Sequence, residues 1–218
     1  MGHNKIVIFD MDGVLLDSEP IYIAMNMKFF KELGAQISLE EYDGFIGVSA
    51  TQMWTYVKEK AKLAPAVEEL KTTERELKYK TLKEAALTPT DGIVPFLDRL
   101  QGAGFTLAIA SSGLKKNVHL ILAKLGLENY FDLVVTGEDV ERGKPEPDIF
   151  LKVAGHYGRP AGDCVVIEDS ANGVKAAKAA GMACLAYFNP HSGKQDLSKA
   201  DLIFDRFDDP ELYGKFGL

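Results

Sequence analysis

The sequence predicts an α/β protein: a doubly wound parallel sheet, Rossmann-like in its winding, with an α-helical cap inserted after the first strand. Three observations carry this. From residue 92 onward, short apolar runs alternate with helical patterns, the rhythm of a parallel sheet covered by helices. A further β-branched run, Ile6-Val7-Ile8, stands apart near the start. Between the two regions the apolar residues recur almost entirely at helical spacing.

Taken in order, Lys5 to Asp10 reads as the first strand. Ile21 to Leu33 has helical spacing and stops at Gly34. Ser38 caps a short helix reaching about Glu41, Gly44-Phe45-Ile46-Gly47 is a loop, and Ser49 caps a helix through Trp54 and Val57. Val67 to Ala86 is a long charged helix with Leu70, Leu77 and Leu82 on one side. After Pro89-Thr90-Asp91-Gly92 the predicted helices are 93–101, 115–125, 148–157 and 173–180. The strands that follow them are 105–110, 133–136, 164–167 and 183–187, with a last strand at 202–204. The expected division is a catalytic core of residues 1–17 and 88–218 and a cap of residues 18–87. Such an insertion sits at the carboxyl end of the first strand, where open α/β sheets hold ligands, and it can act as a lid. Trp54 is expected to pack inside the cap.

The chain has 218 residues, 46% hydrophobic and 26% charged, with a net charge of −7. That is ordinary globular composition. An acidic surface argues against a nucleic-acid partner, although a few local cations and a metal can reverse the sign of one site. Cys164 and Cys184 each sit in an apolar strand-like run and read as buried free thiols, which fits a reducing compartment. No apolar run approaches membrane-spanning length and the first residues lack the apolar stretch of a leader. The expectation is therefore a cytoplasmic protein with no membrane partner. A monomer is adequate, since a cap can close on its own domain.

Four segments at predicted strand ends carry the chemistry. Asp10 and Asp12 sit one residue apart, and Gly13 lets the chain turn sharply after them. Paired carboxylates at a buried strand end repel unless a cation neutralises them. The pair suggests a hard divalent metal, one carboxylate as nucleophile and the other as proton shuttle. Ala110-Ser111-Ser112-Gly113 offers a hydroxyl and backbone N–H groups to an anion. Lys144 is held in a loop stiffened by Pro145 and Pro147. Glu168-Asp169 is a second acid pair at the end of an apolar strand, and a divalent cation shared with the first pair would relieve both. Alone, each segment also reads as a helix cap, a turn or an exposed lysine. Their order is what joins them: acid pair, hydroxyl turn, fixed lysine, acid pair are the parts of phosphoryl transfer.

In that order, and with a helical insertion after the first strand, the chain resembles the haloacid dehalogenase-like hydrolase superfamily. The similarity is to the branch of β-phosphoglucomutase and small sugar-phosphate phosphatases. The resemblance implies Asp10 as the nucleophile that forms an aspartyl-phosphate and Asp12 as the general acid, then base. It implies Ser111, with the Ser112 and Gly113 backbone, as the phosphoryl cradle, and Lys144 as the group that balances charge. Mg²⁺ would be held by Asp10, the Asp12 carbonyl, Asp169 and Glu168. An acid at position 12 points to a phosphatase or phosphomutase, because related dehalogenases and phosphonate hydrolases lack it. Tyr22 stands where the mutase carries a histidine, and Ala50 where the mutase carries a phosphate-binding arginine. The resemblance therefore favours a phosphatase acting on a small phosphorylated metabolite. The alternatives are a β-phosphoglucomutase-like isomerase and a non-catalytic binding protein on the same fold. Substrate choice is expected at Glu19, Tyr22, Gly47 and Arg75.

Overall fold

The structure is a computed structural model that describes residues 5–218. Every residue of Ile6–Phe9 (β1) is buried, with Val7 and Phe9 in one apolar cluster and Ile6 and Ile8 in another. A strand apolar on both faces belongs in the middle of a covered sheet. β1 pairs in parallel with Thr106–Ser111 (β2) on one side. The strands Leu133–Thr136 (β3), Cys164–Glu168 (β4), Ala183–Tyr187 (β5) and Leu202–Phe204 (β6) complete a parallel sheet of order β3-β2-β1-β4-β5-β6. The order reverses direction at β1, so the carboxyl ends of β1, β2 and β4 lie side by side.

Four helices follow β1 without an intervening strand: Glu19–Glu32 (α1), Leu39–Asp43 (α2), Ala50–Ala61 (α3) and Val67–Glu84 (α4). Ser38 and Ser49 each form a reciprocal capping box, with Glu41 and Gln52. Trp54 is fully buried in an apolar cluster with Phe29, Phe30, Val57 and Leu70, separate from the two sheet clusters. The insertion is tied to the sheet domain at its exit. Thr90 N donates to Leu15 O at 2.9 Å, pairing the segment that leaves the sheet domain with the one that returns. Leu82 near the end of α4 packs in the sheet cluster of Val7 and Phe9.

The remaining helices are Ile93–Gly102 (α5), Lys115–Leu125 (α6), Asp148–His156 (α7), Ala171–Ala179 (α8) and Pro210–Phe216 (α9). Helices α5, α6 and α9 cover the Val7/Phe9 face, and α7 and α8 cover the other. Lys124 on α6 donates to the carbonyls of Leu82, Lys83 and Ala85, satisfying the end of α4.

Two strands run one residue further than their apolar patterns predict. Ser111 pairs with Thr136 and Glu168 with Ala186, so both site residues stand on the ladder itself. Helix α8 starts at Ala171, because Ser170 accepts from Gly173 N and caps it there. Helix α9 is absent from the sequence reading. Its signal is Asp209-Pro210: the Asp209 side chain accepts from Glu211 N and proline takes the first helical position. Cys164 and Cys184 are free and buried. Among the described residues no helix is long and apolar enough to cross a membrane.

Phe96 joins α5 to the sheet and to α9. It is fully buried and meets the rings of Phe9, Phe207, Tyr213 and Phe216 edge-on or tilted, at centroid distances of 5.6–6.3 Å. Phe96→Ala is expected to lower unfolding free energy by about 3–5 kcal/mol, read as a shift in the urea midpoint at unchanged slope. A change under about 1 kcal/mol would mean the cluster does not hold this face together.

Candidate active site

The site is assembled where three strands end. Asp10 follows β1 directly, and its N–H donates to Ile167 O at 2.9 Å, so β4 fixes its backbone. The turn after it folds back tightly, with Gly13 N donating to Leu16 O at 2.7 Å. Gly13 has φ +82°, and a Cβ there would fall 1.9 Å from Asp169 Oδ2. Only glycine admits both the turn and the approach of the second acid pair.

Lys144 is the centre of the cluster. Its side chain is 5% exposed, and its ammonium donates to Asp10 Oδ1 at 2.5 Å, Ala110 O at 2.9 Å and Glu168 Oε1 at 2.7 Å. The Lys144–Pro145 peptide is cis. Burial works against the charge of Lys144, but Asp10 and Glu168 outweigh it and hold its pKa above the usual lysine value. Asp10 is pushed up to about 7. Burial is the main cause, opposed by Lys144 and reinforced by Glu168 and Asp12. Asp169 is raised well above the usual carboxylate range by burial and by Glu168 and Asp10. Three acids thus crowd around one ammonium.

Glu168 is fully occupied. Its Oε2 accepts from the N–H groups of Asp169 and Ser170 and from the Ser170 hydroxyl, at 2.8–2.9 Å, and its Oε1 faces Lys144. A Cβ on Gly173 would fall 1.8 Å from its carboxylate. Glu168 thereby anchors Lys144 and the start of α8. Successive strand residues point to opposite sides, and it is Asp169 that turns toward the Gly13 side.

The donor set fits a hard cation. Asp10 and Asp169 are buried oxygen donors, and the charge of Asp10 adds to burial and Glu168 in raising Asp169, a conflict that a divalent ion relieves. Among the described residues no three His, Cys, Asp or Glu side chains form a ready metal cage. Mg²⁺ seldom has one, taking one or two carboxylates together with water and substrate phosphate.

Ser111 is 1% exposed at the end of β2, and its Oγ accepts from Gly113 N at 3.0 Å. Ser112 is exposed next to it. A Cβ on Gly113 would be 3.9 Å from Asp12 Oδ2, so the hydroxyl turn faces the second acid. Asp12 is oriented from the start of the insertion. Ser18 Oγ donates to its Oδ1 at 2.6 Å and Tyr22 Oη at 3.1 Å. Tyr22, one of the residues expected to set substrate choice, reaches this acid with its hydroxyl.

Glu19, Tyr22 and Gly47 line one small pocket in the cap, together with Asn26, Glu74 and Lys78. Glu19 is pushed up to about 7 by burial, with Lys78 opposing and Asp12 and Asp17 adding. Arg75 lies elsewhere. It is exposed and borders a groove between α4 and α6 with Lys115, Lys116 and His119.

Several residues escaped the sequence reading. Asn189 donates to Gly13 O at 3.2 Å, His191 Nδ1 lies 2.5 Å from Asp17 Oδ2, and the Ser192 hydroxyl donates to Asp169 Oδ2. The segment after β5 thereby braces both acid pairs. Its local signal is only a run of turn formers, Asn189-Pro190-His191-Ser192-Gly193.

A family profile described as haloacid dehalogenase-like hydrolase matches residues 7–187. The chain is similar to the phosphorylated carbohydrates phosphatase of Thermotoga maritima, with 33% identity over 178 residues, 82% of each chain. It is similar to the fructose-1-phosphate phosphatase YqaB of Escherichia coli, with 30% identity over 178 residues, 81% of this chain and 92% of the relative. Among solved structures, a conserved haloacid dehalogenase-like protein of unknown function from Agrobacterium tumefaciens superposes with a TM-score of 0.82. It has 28% identity and covers 99% of this chain and 100% of its own. With its strand-end acids, buried lysine and helical insertion, the chain belongs to the haloacid dehalogenase-like hydrolases.

Proposed function

We propose that the protein is a Mg²⁺-dependent phosphatase that hydrolyses a small phosphorylated metabolite through a phosphorylated Asp10. The observation that carries this is the buried Lys144, which links Asp10 to the end of β2 and to Glu168. Lys144 takes Asp10 Oδ1, and Oδ2 accepts from no described side chain. That oxygen is the one to attack phosphorus.

In this reading the Ser111 hydroxyl and the Ser112 and Gly113 N–H groups hold the phosphoryl oxygens. Asp10 Oδ2 forms a bond to phosphorus as the bond to the leaving oxygen breaks. Asp12 gives that oxygen its proton. Asp12 then takes a proton from water, the water oxygen attacks the phosphorylated Asp10, and phosphate leaves with Asp10 restored. Ser18 and Tyr22 both act on Asp12 Oδ1, which leaves Oδ2 on the side of the hydroxyl turn for the proton transfers. Asp10, Asp169 and the Asp12 carbonyl, with Glu168 directly or through water, would hold Mg²⁺, which supplies positive charge against the phosphoryl oxygens. The phosphatase names of the relatives support the same chemistry.

Purified protein with Mg²⁺ is expected to release phosphate from several members of a panel of small monophosphates. Asp10→Asn should lower the rate by at least about 10³-fold. Release that survives unchanged in Asp10→Asn would remove the nucleophile from this account.

A stability measurement addresses the metal separately. Asp10 titrates at about 7 in the folded protein against an ordinary 3.8. The folded state therefore holds the extra proton between those values. The contribution of this group to stability is full below about pH 4 and is lost as pH rises through about 7. Metal binding needs the ionised form. The rise in Tm on adding MgCl2 should accordingly be larger at pH 8 than at pH 5.5. Equal shifts, or none at either pH, would count against Asp10 as a ligand.

A further inference from the structure

The segment after β5 makes contacts that the proposed reaction leaves unused. Asn189 is 5% exposed and Ser192 9%. Asn189 Nδ2 donates to Gly13 O at 3.2 Å, on the turn that follows Asp12. The Ser192 hydroxyl donates to Asp169 Oδ2. Gln195 Oε1 accepts from Ala171 N at 2.9 Å, at the start of α8. One segment thus grips the turn of the first acid pair through Asn189, and the acid and helix of the second pair through Ser192 and Gln195.

Ser192 itself is held from both sides. Its N–H donates to Asn189 O at 3.2 Å, and its carbonyl accepts from Gln195 Nε2 at 2.8 Å. His191 N donates to Asn189 Oδ1 at 2.9 Å and closes the same turn. Ordering a side chain on a mobile loop costs entropy. Here the backbone that carries the hydroxyl is fixed by bonds in which the hydroxyl has no part. The hydroxyl is therefore presented to Asp169 rather than captured by it. The two oxygens of Asp169 have different surroundings. Oδ2 lies against the bare Gly13, where a Cβ would fall 1.9 Å away, and takes the Ser192 hydroxyl. Among the described residues no hydrogen bond reaches Oδ1. Carboxylates that ligate metals are themselves hydrogen-bonded in this way, and the bond sets the direction of the free oxygen.

We propose that Ser192 is a positioning residue for the metal: its hydroxyl fixes Asp169 through Oδ2 and leaves Oδ1 as the oxygen that takes Mg²⁺. The proposal rests on the Mg²⁺ part of the phosphatase reading. It adds a residue that touches neither the metal nor the substrate and acts only through Asp169. Without the hydroxyl, Asp169 would have to be ordered when the ion arrives, and the cost would appear as weaker Mg²⁺ binding.

The test is the Tm of the full chain across a MgCl2 series at pH 8, for wild type, Ser192→Ala and Ser192→Thr. The concentration dependence of Tm gives the Mg²⁺ dissociation constant without any substrate. Ser192→Ala is expected to raise that constant at least about tenfold, and Ser192→Thr, which keeps a hydroxyl, to stay within about threefold of wild type. Phosphate release by Ser192→Ala should need correspondingly more Mg²⁺ to reach half its maximal rate. A serine that serves the fold alone would lower Tm at every Mg²⁺ concentration and leave the dissociation constant unchanged, and that result would overturn the proposal. So would a Ser192→Thr as weak as Ser192→Ala, since packing and not the hydroxyl would then set the affinity. Should Ser192→Ala fail to fold, Ser192→Cys, a weak donor of similar shape, is read against the same limits. Wild-type protein that responds to Mg²⁺, with Ser192→Ala equal to it, removes the role of Ser192 and leaves the phosphatase reading standing. A wild-type Tm that ignores Mg²⁺ removes both the role of Ser192 and the metal from that reading.

Discussion

One buried ammonium holds the site together. Lys144 reaches the ends of β1, β2 and β4 at once, through Asp10, Ala110 O and Glu168. All three of its donors are used, so the lysine is satisfied although almost no solvent touches it. Breaking a buried charge cluster by removing one partner is strongly destabilising, because the remaining charges are left uncompensated. Here the uncompensated groups would be carboxylates facing one another. The approach of the Lys144 loop, the placement of Glu168 behind it and the absence of a side chain at Gly173 all follow from seating that one group.

Around that fixed centre the two catalytic acids are held differently. Asp10 is locked by the sheet, through its own N–H to β4 and through Lys144. Asp12 is held by Ser18 and Tyr22, which begin the helical insertion. In the proposed reaction the nucleophile thus belongs to the sheet domain, while the proton-transfer group is oriented from the start of the helical insertion. The segment after β5 links the two. It holds Gly13 O through Asn189 and Asp169 through Ser192, and it meets the cap where Gly193 approaches Ile46. The helical insertion thus touches Asp12 directly and Asp169 by way of this segment.

What the sequence made legible was local. β1, α6 and β6 were readable from apolar period alone, and Ser38 and Ser49 from capping chemistry. The acid pairs were readable because a carboxylate at the end of an apolar strand conflicts with its surroundings. Residues whose role depends on a distant partner were not. Glu74 looked like one more charge on the solvated face of α4. Its burial is decided by Trp54, twenty residues earlier, whose indole N–H it accepts. Arg75 looked the better candidate, but one residue along a helix is a turn of about 100°, and that carries it out of the pocket to the α6 side. The partner of Glu168 was hidden for a related reason. The acid pair was legible, but which acid faces Lys144 and which faces Gly13 depends on the strand continuing one residue further than its apolar pattern.

In the phosphatase reading, the same crowding accounts for how an acidic protein would receive a phosphate. The core offers Asp10, Glu168 and Asp169 against a single ammonium. Left alone, such a set holds protons, which is why Asp10 rises to about 7 and Asp169 rises with it. A proton neutralises a carboxylate but adds nothing further for an incoming dianion. In the proposed reaction a bound Mg²⁺ would offset the two negative charges that Lys144 leaves uncompensated among these three acids, and so would let the site accept a phosphoryl group. The raised carboxylates and the fit to a divalent cation are thus two consequences of one arrangement, in which three carboxylates face one ammonium and the set is two positive charges short.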